Sequence, residues 1–223
     1  MLDRRVQTYS EAVAGLRDGM TILLGGFGGA GVPLGLCAAI IDAGLRDLVV
    51  IANNAGSADP DMSAMLLAGC IRKVVCSYPK SASSRVFADL YAAGKVGLEV
   101  IPQGTLVERL RCAGAGLGGF FTPVGAGTEL AGAKEVRVIE GREHVFETPL
   151  RGDVALIKAK RADRLGNLTY NKLARNFCPA MATAAAIVVA EADEIVDVGA
   201  IDPEEVVTPG VFVDRVVRKG APK

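Results

Sequence analysis

Met20-Thr21-Ile22-Leu23-Leu24-Gly25-Gly26-Phe27-Gly28-Gly29-Ala30-Gly31-Val32-Pro33 is the stretch on which the fold turns. Its first five residues form an apolar run that reads as a buried strand, and Leu34 to Ile41 beyond it reads as a helix. Pro33 suits the first helical turn, where its missing N–H does no harm. Strand, glycine loop and helix in that order direct free backbone N–H groups at an anion, usually a phosphate. Five glycines between Gly25 and Gly31 also let a ligand approach the main chain closely. A tight strand-to-helix crossing that binds nothing has the same spacing, since glycines also serve packing.

Two phosphate motifs can be tested on this loop. A nucleoside-triphosphate loop ends in Gly-Lys-Ser/Thr, whereas this one ends Gly31-Val32-Pro33, so that reading fails. Gly26, Gly28 and Gly31 satisfy the spacing of a dinucleotide fingerprint, which also needs an acid at the end of the next strand. That strand, Leu48 to Ile51, runs into Asn53-Asn54, and Asp47 lies at its wrong end to reach a ribose. The nicotinamide dehydrogenase reading lacks its acidic half.

Outward from the loop, strands and helices alternate. Ser10 is placed to cap a helix from Glu11 to Arg17, and Asp47 to Ala52 forms a second strand before a turn at Asn53-Asn54-Ala55-Gly56. Asp61 to Ala68 reads as a helix, Ile71 to Ser77 as a strand, Ser84 to Ala93 as a helix and Leu98 to Ile101 as a strand. Thr105 and Glu108, three apart, make a capping box that opens a helix through about Arg111. Ala113 to Gly132 has no period and reads as a long loop; Glu135 to Phe146 alternates as a hairpin turning at Glu140-Gly141. Asp153 to Ala159, Leu168 to Tyr170 and Ala186 to Ala190 read as strands, with a helix over Ala180 to Ala185 and further apolar runs at Val211–Val213 and Val216–Val217. This alternation predicts an α/β fold: one domain over 1–223, with a mostly parallel sheet flanked by helices and a β-hairpin insertion.

Composition narrows the function. The 223 residues carry 25 acids and 25 bases, and 11 aromatics (7 Phe, 4 Tyr) with no Trp. Zero net charge offers no attraction to nucleic acid or anionic membrane, and few aromatics leave no base-stacking platform. The charged start, Met1 to Arg5, and the absence of any 18-residue apolar run give no signal peptide or membrane span, so the expected compartment is the cytoplasm. Five cysteines without paired spacing and a single histidine, His144, argue against a disulfide framework or a metal site. The cysteines read as small core residues.

Taken singly, the chemical candidates are few. No Ser sits in a nucleophile elbow and no Cys–His signature occurs. Gln103 follows the strand end Val100-Ile101-Pro102 and precedes Gly104-Thr105 at a helix start. Ligand crevices in parallel sheets lie beyond the carboxyl ends of strands, and an amide there can stabilise an oxyanion or merely fix the turn. Residue patterns thus reach an anion-binding domain with no convincing nucleophile.

Asp18-Gly19, Ile22 to Phe27 and Gly31-Val32-Pro33 together resemble the signature of the class I coenzyme A transferase alpha subunit. Pro102-Gln103-Gly104-Thr105, Gly125-Ala126-Gly127-Thr128, Asp163 to Asn167, Ala174-Arg175-Asn176-Phe177 and Thr208-Pro209-Gly210 follow in the family's order. The resemblance implies a partner beta subunit of the same fold, often in an α2β2 assembly, with the nucleophilic glutamate in a Ser-Glu-Asn-Gly motif that this chain lacks. It implies no permanently bound cofactor: coenzyme A is the group carried, by ping-pong chemistry between carboxylic acids. Gly25, Gly26, Phe27, Gly28, Gly29, Ala30 and Gly31 map onto the segment assigned to CoA, and Gln103 onto an oxyanion donor. Asn53 to Gly56, Cys76 to Pro79 and Gly118 to Phe121 look most like subunits that act on 3-oxoadipate with succinyl-CoA as donor. Acetate or acetoacetate transferases, and a ligand-sensing domain of the same fold, stand as alternatives. Cys178 departs from the family, where Asn or Gly commonly follows Ala-Arg-Asn-Phe, and this puts acyl specificity in question.

Overall fold

The computed structural model describes residues 2–56, 61–80 and 84–223. Its strands are β1 (Arg5–Val6), β2 (Thr21–Leu24), β3 (Leu48–Asn54), β4 (Ile71–Tyr78), β5 (Gly97–Val100), β6 (Phe120–Thr122), β7 (Val136–Ile139), β8 (Arg142–Glu147), β9 (Gly152–Asp163), β10 (Leu168–Thr169), β11 (Ala185–Val196) and β12 (Arg215–Arg218). The helices are α1 (Tyr9–Val13), α2 (Leu34–Asp42), α3 (Met62–Leu67), α4 (Val86–Ala92), α5 (Gln103–Gly114) and α6 (Cys178–Ala184). The main sheet runs β1-β12-β11-β9-β2-β3-β4-β5, all parallel, with β10 antiparallel to β9. A separate antiparallel sheet, β6-β8-β7, carries the expected hairpin.

The apolar runs make central strands because both faces of the sheet are covered. On β2, Ile22 and Leu24 enter one core while Leu23 enters the other. Val50 and Ala52 oppose Ile51 on β3 in the same way, and Val154 and Leu156 oppose Ala155 and Ile157 on β9. One core is roofed by Ala12, Leu36, Ile40, Met65 and Phe87 of α1 to α4; the other by Leu106, Leu110, Met181 and Ala182 of α5 and α6.

Several boundaries differ from the sequence reading. Thr8, not Ser10, caps α1: its Oγ1 accepts the Glu11 N–H at 3.0 Å, and Glu11 reaches back to the Thr8 N–H at 3.4 Å. Only from Thr8 does the third helical position fall on Glu11, which closes a reciprocal box. The box expected at Thr105 and Glu108 does not form. α5 begins three residues earlier, directly after Pro102, so Thr105 is already inside the helix and its buried Oγ1 has no hydrogen-bond partner, while Glu108 pairs with Arg111 at 2.8 Å. Pro33 stands just before α2 rather than in its first turn. Asn53 and Asn54, expected in a turn, still belong to β3, where Asn54 pairs with Tyr78. The loop expected over 113–132 contains β6, and Val211–Val213 is mostly a 3-10 turn.

Candidate active site

The sheet reverses its winding direction between β2 and β9. From β2 the chain steps through α2 to β3, β4 and β5 on one side; from β9 it steps through α6 to β11 and then β12 on the other. Crevices for ligands form at such a switch point, outside the carboxyl ends of the strands. The glycine loop lies there, held to β9 by the Gly25 N–H donating to Leu156 O at 2.9 Å.

The loop itself is a tight hairpin. Phe27 and Ala30 exchange two backbone hydrogen bonds, 2.9 and 3.0 Å, across Gly28-Gly29, with Gly28 at φ +57°. A positive φ at the first central residue, Gly28, but not at the second, Gly29, is the mark of a II′ turn and favours glycine at the first. Gly31 needs its hydrogen for a different reason: a Cβ would lie 2.6 Å from Ala174 O and from Asn176 Nδ2. Phe27 stands at the tip, 37% exposed.

Asn176 clamps this loop from below. Its Oδ1 accepts the Gly26 N–H at 3.1 Å and its Nδ2 donates to Ala30 O at 3.2 Å, so one amide ties both strands of the hairpin. The same side chain also holds its own turn, through Phe177 N at 2.7 Å and Ala174 O at 3.0 Å. Asn176 sits at φ +26°, a conformation that costs a non-glycine residue about 1–3 kcal/mol and persists where surrounding contacts over-determine it. Cys178 follows, wholly buried, with its sulfur against Gly25: a Cβ on that glycine would lie 2.7 Å from Sγ. The thiol therefore packs inside the fold and does not line an open crevice. Burial pushes it up to about 12, far from a reactive thiolate.

The first turn of α2 does not offer a phosphate cradle. Pro33 has no N–H, the Leu34 N–H donates to Val32 O at 3.0 Å, and the Leu36 N–H donates to Glu191 Oε2 at 3.1 Å. Glu191, on β11, is 1% exposed and lies 3.7 Å from Lys158 Nζ. A carboxylate supplied from within the fold already satisfies the positive end of the helix dipole.

The N-terminus of α5 differs. It carries no acidic residue in its first turn and no side-chain cap. Gln103 is its first residue and is exposed. Asn53, 5% exposed at the end of β3, donates Nδ2 to Gln103 Oε1 at 3.0 Å and to Ser77 Oγ at 3.0 Å. Ser77, near the end of β4, donates its hydroxyl to Asn53 O at 2.9 Å. Four strand ends thus converge: β2 through the glycine loop, β3 through Asn53, β4 through Ser77 and β5 through Gln103. A cavity of about 10 Å³ between loop and β3, bounded by Gly25, Gly26, Asn53, Asn54 and Asp61, holds roughly one water. The Asp61 carboxylate beside it caps α3, accepting the Ser63 N–H at 2.8 Å. Among the described residues no His, Cys, Asp and Glu cluster has the makings of a metal site. No helix among them is long and apolar enough to cross a membrane.

A mostly parallel sheet flanked by helices, with a glycine hairpin at its switch point, defines an α/β architecture. The chain matches the Coenzyme A transferase family over residues 6–219 and belongs to it. It is 52% identical over 217 residues to the A subunit of 3-oxoadipate CoA-transferase from Pseudomonas putida, covering 97% of this chain and 94% of that one. To the A subunit of succinyl-CoA:3-ketoacid coenzyme A transferase from Xanthomonas campestris pv. campestris (strain B100) it is 47% identical over 219 residues, 96% of this chain and 90% of the relative. An acyl-CoA transferase from E. coli O157:H7, solved as a thioester complex with CoA, shares the fold with TM-score 0.83 at 22% identity. The match covers 97% of this chain but 47% of that one, so the chain spans about half the length of that transferase.

Asn53 and Asn176 fall in family-like stretches of the sequence, where no structural role was legible for either. A polar pair ending an apolar strand looks like a turn, and only the β3–β4 register keeps Asn53 in the sheet. Asn176 lies 146 residues from Ala30, beyond any local pattern.

Proposed function

We propose that this chain is the alpha subunit of a heteromeric CoA-transferase that moves CoA from succinyl-CoA to a 3-oxoacid, 3-oxoadipate, in the cytoplasm. The observation that carries the reading is Gln103: an exposed amide at the uncapped start of α5, its Oε1 occupied by Asn53 and its NH₂ available to an incoming oxygen. The crevice around it supplies donors and backbone, and Asp61 there is engaged as a cap, so the nucleophile is expected from a beta subunit with a Ser-Glu-Asn-Gly motif, in an α2β2 assembly.

The partner's glutamate attacks the thioester carbonyl, and the carbonyl oxygen becomes a tetrahedral oxyanion. Its collapse expels CoA thiolate and leaves an acyl-glutamyl anhydride. The thiolate adds to the glutamyl carbonyl, expels the first carboxylate and leaves a glutamyl-CoA thioester; the acceptor carboxylate then reverses both steps. Splitting one displacement in this way lowers each barrier. A preorganised donor at an oxyanion contributes about 3 kcal/mol, which is the part assigned to Gln103. Gly25 to Gly31 form the wall beside the thioester. A loop without Cβ atoms at Gly28 and Gly29 lets the acyl-CoA lie against backbone, and Asn176 holds that wall at fixed height.

Purified chain alone is expected to transfer no CoA. Adding the beta subunit is expected to restore transfer from succinyl-CoA to 3-oxoadipate in preference to acetate or acetoacetate. Robust transfer by the single chain, or no transfer on addition of the partner, overturns the division of labour; the second result would favour a ligand-sensing role.

A further inference from the structure

Three hydrogen bonds at the strand ends, beginning at Ser77, determine which atom Gln103 presents. Asn53 O is a carbonyl and only accepts, so the single hydroxyl hydrogen of Ser77 is spent on it at 2.9 Å. Ser77 Oγ, with no hydrogen left, must accept from the Asn53 side chain 3.0 Å away. The Asn53 atom facing it is therefore the NH₂ group. That same nitrogen lies 3.0 Å from the Gln103 amide, and the Gln103 atom facing it must be the oxygen. Gln103 is left with its NH₂ turned outward.

We infer that Ser77 and Asn53 are positioning residues that lock the Gln103 amide with its donor end toward the crevice. The inference deepens the oxyanion role proposed above and rests on it. An unlocked glutamine at an exposed helix start turns freely between two nearly isosteric poses. One presents a donor to the developing oxyanion; the other presents an oxygen that repels it. The lock removes the repelling pose before substrate arrives, and preorganisation of this kind is what gives a donor its transition-state value. Each of the three comes from a different element, β4, β3 and α5, so the lock also registers the start of α5 on the sheet.

The test uses the chain assembled with its partner. Ser77→Ala is expected to lower kcat about tenfold with KM changed less than twofold, and Ser77→Thr, which keeps the hydroxyl, is expected to restore at least half the activity. In a Gln103→Ala background, Ser77→Ala is expected to cost less than a further twofold, because residues acting through one group are not additive. An unchanged kcat in Ser77→Ala, or an undiminished loss in the double variant, overturns the inference. Amide proton exchange, read by NMR on the ¹⁵N-labelled chain without assay, separates this failure from failure of the transferase reading. The Asn53 side-chain NH₂ is expected to exchange slowly and that of Gln103 fast. The reverse order overturns the lock even if the enzyme transfers CoA as proposed. If Ser77→Ala does not fold, Asn53→Asp serves: a carboxylate cannot donate to Gln103, so the Gln103 NH₂ is expected to turn inward and exchange slowly. Fast exchange in that variant overturns the inference.

Discussion

Gln103 does its proposed work at the most exposed point of its network, which separates its contribution to rate from its contribution to folding. Its side chain is exposed and makes one hydrogen bond to the protein, from Asn53, among those between described residues. Gln103→Ala is therefore expected to lower turnover at least tenfold, with KM little affected and the melting temperature within a few degrees of the parent. Steady-state kinetics on the assembled enzyme and a thermal melt check both halves; an unchanged rate removes Gln103 from the mechanism. Its place after a strand end and before a helix start was legible in the sequence. The atom it presents was not, because that depends on Ser77 and Asn53, 26 and 50 residues away along the chain, and on a register that sets β3 beside β4.

At the scale of elements, α2 is the piece whose sequence and structure disagree most usefully. Strand, glycines and helix pointed to a helix N-terminus open to phosphate; instead Glu191 of β11 occupies it and Lys158 of β9 stands behind the carboxylate. Lys158 also pairs with Asp193, so removing Glu191 chiefly leaves the buried Leu36 N–H without its acceptor, a loss of about 1–3 kcal/mol. Glu191→Ala is expected to destabilise the fold by that order, read as a lower urea midpoint with unchanged slope. A loss below about 1 kcal/mol would mean that α2 is held by its apolar face, Leu36, Cys37 and Ile40, without the cap. The glycine hairpin has its own dependence on packing. Gly31→Ala adds a Cβ at φ +74° into Ala174 O, 2.6 Å away, and is expected to displace the loop from Asn176 and reduce CoA transfer well beyond any change in melting temperature. Local capping rules misplaced the start of α1, where Ser10 was expected and Thr8 closes the box with Glu11. They also failed at Thr105, where Pro102 starts the helix first.

Across the whole molecule, the five cysteines report how well the two cores exclude water. All are free and buried. Burial raises the Cys178 thiol to about 12 and the Cys76 thiol to about 11, against 9.0 for an ordinary thiol. The folded state keeps these protons where the unfolded chain has lost them. Their contribution to stability is therefore complete below about pH 9 and declines as pH rises through 9 toward 11 and 12, at about 1.4 kcal/mol per pH unit for Cys178 alone. Urea midpoints are expected to hold level from pH 7 to 8.5 and fall above 9; a level profile to pH 11 would contradict the burial of these thiols. Local periodicity and residues adjacent in the chain were enough for the α/β class, the parallel sheet, the glycine loop at a strand-to-helix crossing and the place of Gln103. They could not reveal that Glu191 fills the start of α2, that Asn176 clamps the loop with Cys178 beneath it, or that Ser77 orients Gln103 through Asn53. Each of those pairings joins segments far apart in the chain that the order of the sheet brings side by side, and no spacing along the chain records that order.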